Sequence, residues 1–271
     1  MVQSFGPLIT GAWLAEHRND PDLRIIDFRW YLDSRSGRAA YDAGHVPGAV
    51  FVDLDGEVTG HRPNAGRHPL PERAAFERAM RAAGVKRGSR VVVYDDQGAY
   101  SAARLWWLLR YFGHDDAAVL DCGLQAWPSP LSTEGAEPAA GDFVAAPQRE
   151  AMSLDYGGVR RLPASILLLD ARAPDRYLGE VEPIDPVAGH IPGALSAFYR
   201  DNLTAQGRFR PPEELQRRFA ALGVREGKDV VSYCGSGVTA CQNLLALEVA
   251  WPEGGCIQAP GASGASAQTR Q

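Results

Sequence analysis

Much of this sequence is written twice. His45-Val46-Pro47-Gly48-Ala49 returns as His190-Ile191-Pro192-Gly193-Ala194. Ahead of each copy an apolar run ends in an acid, at Ile25-Ile26-Asp27 and at Leu167-Leu168-Leu169-Asp170. Further on, Ala83-Gly84-Val85 is echoed by Leu222-Gly223-Val224. Each leads into another apolar run, Val91-Val92-Val93-Tyr94-Asp95 and Val230-Val231-Ser232-Tyr233-Cys234. Order and spacing survive across all these blocks, which is the signature of a duplicated structural unit. A length of 271 residues suits two domains better than one.

Within each half, short β-branched runs such as 90–94 predict buried strands. The amphipathic stretches 71–83 and 211–222 predict helices, each with a proline near its start and Gly84 or Gly223 at its stop. Alternating strands and helices imply an α/β fold, a mostly parallel sheet flanked by helices in each half. From about Glu134 to Gly158 the chain is rich in Pro, Gly, Ala and Ser and reads as a linker. The expected division is a first domain over 1–135, a linker over 136–158, a second domain over 159–250 and an aberrant, disordered tail over 251–271.

Charge and composition narrow the function. A net charge of −5 offers no footprint for nucleic acid. No apolar run is long enough to span a bilayer, and the first twenty or so residues do not look like a secretory leader, so the expectation is a cytoplasmic protein. Four cysteines, none in a CxxC pair, neither form a disulfide framework nor suggest a metal site. No cofactor is expected.

The sharpest local signal is Tyr233-Cys234-Gly235-Ser236-Gly237-Val238-Thr239-Ala240. A buried strand ends at the cysteine and a helical pattern opens near Val238. Cys234 therefore lies at the carboxyl end of a strand, the edge where open α/β sheets bind ligands. Glycines let the backbone curl until several N–H groups face one point, and the helix adds its positive end. Both stabilise a thiolate. A lone cysteine is more often an inert core residue; strand, glycine-rich turn and helix together favour a reactive one. In the repeat, Asp95 stands where Cys234 stands, so only the second half can carry a reactive thiol.

With these residues in view, the chain resembles the rhodanese and mercaptopyruvate sulfurtransferase family from about Leu8 to Ala250. Cys234-Gly235-Ser236-Gly237-Val238-Thr239-Ala240 is similar to the family's active-site loop, and the two HxPGA blocks to its other landmark. The resemblance implies tandem rhodanese-like domains, the first silent. It implies that Cys234 takes a sulfur from a small-molecule donor, 3-mercaptopyruvate or thiosulfate, and passes it as a persulfide to a thiol or cyanide. A thioredoxin-like protein is one candidate acceptor. Gly235, Ser236, Gly237, Val238 and Thr239 are expected to line the donor site, Ser236 as a hydrogen-bond donor and Thr239 bonding loop amides or capping the helix. Arg176 matches the arginine that binds the donor's acidic group, where its planar fork suits a carboxylate. A neutral Gly235-Ser236 pair favours the monoanion mercaptopyruvate. The family's second arginine is replaced by Ile184, which keeps thiosulfate open.

Other readings are weaker. Cysteine phosphatases need an arginine six residues after the nucleophile, and Ala240 stands there. A thiol redox protein needs a resolving cysteine; Cys241 lies about 10 Å further along a helix and reads as core. His45 and His190 occur in both halves although only one is reactive, which points to scaffold; so does the pairing of Arg29 with Arg172. A rhodanese-like binding or sensing module without catalysis remains the alternative, because the residues after Ala250 do not look like the last strand such a domain needs. Cys256–Ala265 can be encoded so that reading two bases later spells YPGSWSEWS, the family's usual ending. A frameshift in the gene would account for the tail.

Overall fold

The computed structural model describes residues 5–61 and 66–252, and the backbone of 257–261. The chain forms two compact units. The first runs to Gly60 and takes in Leu70–Arg149 and Gln206–Arg208; the second takes His61–Pro69, Glu150–Ala205 and the chain from Phe209.

In the first unit β1 (Leu8–Ile9), α1 (Gly11–His17), β2 (Leu23–Asp27), α2 (Gly37–Ala43), β3 (Val50–Phe51), α3 (Arg73–Ala82), β4 (Arg90–Tyr94), α4 (Ala102–Tyr111) and β5 (Ala117–Leu120) follow one another. The second unit contains α5 (Tyr156–Arg160), β6 (Leu167–Asp170), α6 (Pro174–Leu178), β7 (Leu195–Ser196), α7 (Pro212–Ala221), β8 (Val230–Tyr233), α8 (Ala240–Ala250) and β9 (Ile257–Gly261). The first sheet has the order β1-β5-β4-β2-β3 and the second β9-β8-β6-β7, with every pairing parallel. Since β2, β3, β4 and β5 correspond to β6, β7, β8 and β9, the shared strands have the same order in both. The duplicated sequence folds as a duplicated topology.

Local chemistry sets the element ends. Thr10 caps α1 by accepting the Trp13 N–H at 3.2 Å, and Ser36 caps α2 through the Ala39 N–H at 3.1 Å. Helices α3 and α7 stop just before Gly84 and Gly223, which take positive φ values of 74° and 86°. Buried on both faces, β4 and β8 read as continuous apolar runs. Val92, Tyr94, Leu120 and Val46 form the core on one side of the first sheet; Leu168, Val231, Tyr233 and Ala194 do so in the second.

Two expectations need correction. The stretch 136–158 is not a free linker throughout, because its first part is built into the first unit. Gly141 N–H donates to Arg81 O, Phe143 N–H to Val85 O and Ala146 N–H to Phe112 O. Phe143 is buried and meets the Phe76 ring edge-on at 5.9 Å. A single aromatic with backbone partners anchors a segment whose composition signals only a loop. The stretch after Ala250 also contains a strand, since β9 pairs with β8 where β5 pairs with β4. Val231 faces Gln258 and Ser232 faces Pro260, so Ala259 is an extra residue in a bulge. Strand pairing is made by main-chain groups, which is why a segment with Pro260 and Gly261 can occupy an edge. The remainder of the expected tail, 253–256 and 262–271, lies outside the described residues.

Candidate active site

Both units build the same frame around the carboxyl ends of their central strands. In the first, Arg29 makes a two-pronged ion pair with buried Asp27 (2.7 and 3.0 Å) and donates to Gly44 O. In the second, Arg172 does the same with Asp170 (2.7 and 3.0 Å) and Gly189 O. Each acid also receives a phenol at 2.7 Å, from Tyr94 and from Tyr233, and that phenol accepts the N–H of Val46 or Ile191. Burial and the adjacent carboxylate push both phenols well above the usual tyrosine range. His45 stacks on Tyr41 and His190 on Tyr177, both at 3.8 Å, and each imidazole Nδ1 bonds the carbonyl of the tyrosine below it. The histidines and the Asp–Arg pairs are thus scaffold in both copies.

The two loops differ where the strands end. Cys234 is half-buried, and the Gly237 N–H points at its Sγ at 3.1 Å. Gly237 has φ 79°, the conformation that turns this amide inward. Helix α8 begins at Ala240, later than the pattern suggests, because the turn takes up the residues from Cys234 to Thr239. Ser236, Val238 and Thr239 are all buried there. Thr239 makes no capping bond to α8. Cys241 is buried, and its thiol bonds Gly237 O at 3.2 Å, so it sits in the core behind the loop.

In the first unit Asp95 fills the equivalent cradle. Its Oδ1 accepts the N–H groups of Gln97 (2.9 Å) and Ala99 (3.0 Å), and its Oδ2 those of Ser101 (2.8 Å) and Ala102 (2.9 Å). Burial pushes the carboxyl up, and those amide bonds oppose it. Every lone-pair direction that faces the loop is already met by an N–H, so the carboxylate is the form this cradle fits. The fold of this loop is one that holds an anion.

Arg176, expected to meet the donor, lies on α6. It bonds Glu182 through Nη2 (2.7 Å) and Nε (3.2 Å), and Asp185 through Nη2 (2.7 Å). Glu182 also accepts the N–H groups of Ile184 and Asp185, which folds the turn that carries Ile184. Burial works against the Glu182 charge, but those amides and Arg176 outweigh it and hold the carboxyl below its ordinary range. Asp185 is paired in turn with Arg67. A Cβ on Gly235 would overlap the Arg67 guanidinium and come within 2.9 Å of Asp185 Oδ2. Arg67, Glu182 and Asp185 thus join the neighbourhood of the cysteine loop, and sequence reasoning did not single out any of them. Arg67 lies far from Cys234 along the chain, and no motif connects the two.

Among the described residues no cluster of His, Cys, Asp and Glu could hold a metal ion. None of their helices is long and apolar enough to cross a membrane.

Comparison with known proteins agrees with this architecture. The model of the rhodanese-like domain matches residues 10–129 and again 159–257. A Pseudomonas aeruginosa protein named as a probable 3-mercaptopyruvate sulfurtransferase is 43% identical over 257 residues, covering 91% of this chain and 90% of the relative. SseB of Mycobacterium tuberculosis, named for thiosulfate sulfurtransfer, is 40% identical over 254 residues, 89% of this chain and 88% of that protein. The crystal structure of SseA from Escherichia coli, a 3-mercaptopyruvate enzyme of the rhodanese fold, superimposes with a TM-score of 0.84 at 32% identity, covering 96% and 99% of the two chains. The chain belongs to the rhodanese family of sulfurtransferases, with two rhodanese domains in tandem.

Proposed function

We propose that Cys234 is the sulfur carrier of this sulfurtransferase, with 3-mercaptopyruvate as the preferred donor. The observation that carries this reading is the Cys234 turn. Its Sγ faces the Gly237 N–H, in a loop whose counterpart holds the Asp95 carboxylate with four amides. The Cys234 thiolate attacks the donor sulfur. The carbon–sulfur bond breaks toward carbon, the resulting enolate takes the proton of the donor thiol, and pyruvate leaves. Cys234 keeps the sulfur as a persulfide. With thiosulfate the same attack breaks the sulfur–sulfur bond and releases sulfite. A thiol or cyanide then removes the outer sulfur and returns the thiolate.

Arg176 receives the donor's acidic group, with Gly235, Ser236, Gly237, Val238 and Thr239 forming the loop beside it. The neutral Gly235-Ser236 pair supports a monoanion over a dianion. Free thiols at Cys122, Cys234 and Cys241 support a reducing, cytoplasmic setting, where a thioredoxin-like protein is a suitable acceptor.

The test is intact mass after incubation with mercaptopyruvate and, separately, thiosulfate. A gain of one sulfur, reversed by cyanide and absent in Cys234→Ser, is expected. Folded protein that gains no sulfur from either donor would overturn the reading and leave a rhodanese-like module that binds without catalysis.

A further inference from the structure

Helices α3 and α7 hold matching places in the repeat, and one buried position sets them apart. Counting back from Gly84 and Gly223, Leu215 and Phe219 match Phe76 and Met80, and all four are fully buried. By the same count Arg218 matches Ala79. Ala79 is 7% exposed, and the Arg218 side chain only 16%. The fold needs no more than a methyl group at this position, yet the second unit keeps a guanidinium there. Arg210 and Glu214 likewise match Pro71 and Ala75, so the whole charged group belongs to one copy.

Arg218 is incompletely satisfied there. Its Nη2 donates to Phe198 O at 2.9 Å and lies 3.8 Å from Asp201 Oδ2, but its Nη1 is buried without an acceptor. Burial pushes the guanidinium below the ordinary arginine range; Asp201 opposes that shift and Arg210 adds to it. A buried charged donor left unpaired is costly, and native folds rarely keep one without a reason. Arg218 lines a cavity of about 490 Å³ together with Asp201, Arg210, Glu214 and Arg217. Arg210 is engaged by Glu214 at 3.0 Å. Arg217 donates through Nε to Glu213 O and forms no ion pair among the described residues. Three cations thus surround the cavity against two acids. No residue of the Cys234 loop lines it.

We propose that this cavity is a second anion site, apart from the Cys234 loop, where Arg217 and Arg218 hold a phosphate group with Arg210 in support. The planar fork of a guanidinium suits phosphate oxygens, and a phosphate group offers each of three guanidinium groups an oxygen of its own, where a carboxylate has only two. A phosphate oxygen gives Arg218 Nη1 the acceptor it lacks. Asp201 and Glu214 compete for the same cations, so they temper the affinity and keep exchange of the ligand fast. The bound group is either free phosphate or the terminal phosphate of a small phosphomonoester; both present the same oxygens to the arginines.

The test is the melting temperature of the full chain against rising sodium phosphate, with ionic strength held constant by sodium chloride. A ligand that binds only the folded state raises it along a saturation curve. An apparent Kd of about 1 mM is expected. Arg217→Gln and Arg218→Ala each remove one charged hydrogen bond and should weaken it about tenfold. Arg217 is exposed, and Arg218→Ala restores the residue that α3 carries, so neither change should prevent folding. A parallel titration with ribose 5-phosphate separates the two sources: tighter binding than inorganic phosphate assigns the site to an ester, equal or weaker binding to the free ion. The proposal fails if phosphate raises the melting temperature no more than chloride does. It fails equally if both variants keep the wild-type Kd within about twofold. Binding that survives both changes but is lost in Arg176→Gln would put the ion beside Cys234 and overturn the second site.

Discussion

Replacing Asp95 with asparagine should unfold the first domain at a much lower urea concentration. The carboxylate is buried and accepts four backbone N–H groups, two on each oxygen, at 2.8–3.0 Å. Asparagine keeps one oxygen. Whichever way its amide is turned, two loop N–H groups lose a charged acceptor and meet an NH2 donor. At roughly 1.5–3 kcal/mol for each bond to a charged group, the loss is about 3–6 kcal/mol. A domain holds only about 5–15 kcal/mol in all.

Tryptophan fluorescence isolates the effect, because Trp13, Trp30, Trp106, Trp107 and Trp127 precede residue 136 and only Trp251 follows it. With a urea slope near 2 kcal/mol/M, the fluorescence midpoint should drop by about 1.5–3 M. Cys234→Ser, in the other domain, serves as the control and should leave that midpoint in place. A shift under about 0.3 M in Asp95→Asn would refute the anion-cradle account of this loop. It would mean that water or a rearranged turn satisfies the amides at no expense, and the parallel drawn with Cys234 would lose its footing.

Further outcomes follow from the same geometry. Arg172→Met leaves Asp170 buried without its cation and should destabilise the second domain by about 3–5 kcal/mol, read by urea unfolding under circular dichroism; Arg29→Met should do the same to the first. Glu182 has a folded pKa below its ordinary 4.5, so the stability it contributes is present above that value and lost as pH falls through the depressed one. The melting temperatures of wild type and Glu182→Gln should therefore differ at neutral pH and converge in acid. Gly235→Ala should keep the fold, since the flexible ends of Arg67 and Asp185 can shift, but it should slow persulfide formation from anionic donors, followed by mass over time. Sequencing the gene around the Ala250 codon tests the origin of the tail; codons that cannot spell YPGSWSEWS two bases later would end the frameshift explanation.

Much of the second sheet was legible because the first half of the chain is its key. The acid at the end of β2 and β6, the HxPGA turns and the loop after β4 and β8 recur at matched positions, and matched local signals produced the same strand order twice. Repetition also separated roles: residues kept in both copies, such as His45 with His190 and Arg29 with Arg172, proved to be scaffold. The one position that changes chemistry, Asp95 against Cys234, marked the candidate site. Strand β9 was hidden because an edge strand is held by main-chain bonds, which composition does not record.

By itself, then, the sequence determined the duplication, the α/β class, the placement of Cys234 at a strand's carboxyl edge and the aspartate at the matching edge of the first domain. These depend on short-range periodicity and on residues a few positions apart. Only the tertiary structure decided what surrounds the thiol. Arg67 reaches Asp185 from 118 residues earlier in the chain, and Asp185 gathers two arginines whose sequence positions have nothing in common. An ion pair depends on distance in space, and a long loop can bring any charged residue to a strand end at little entropic expense, so no pattern along the chain foretells the partner.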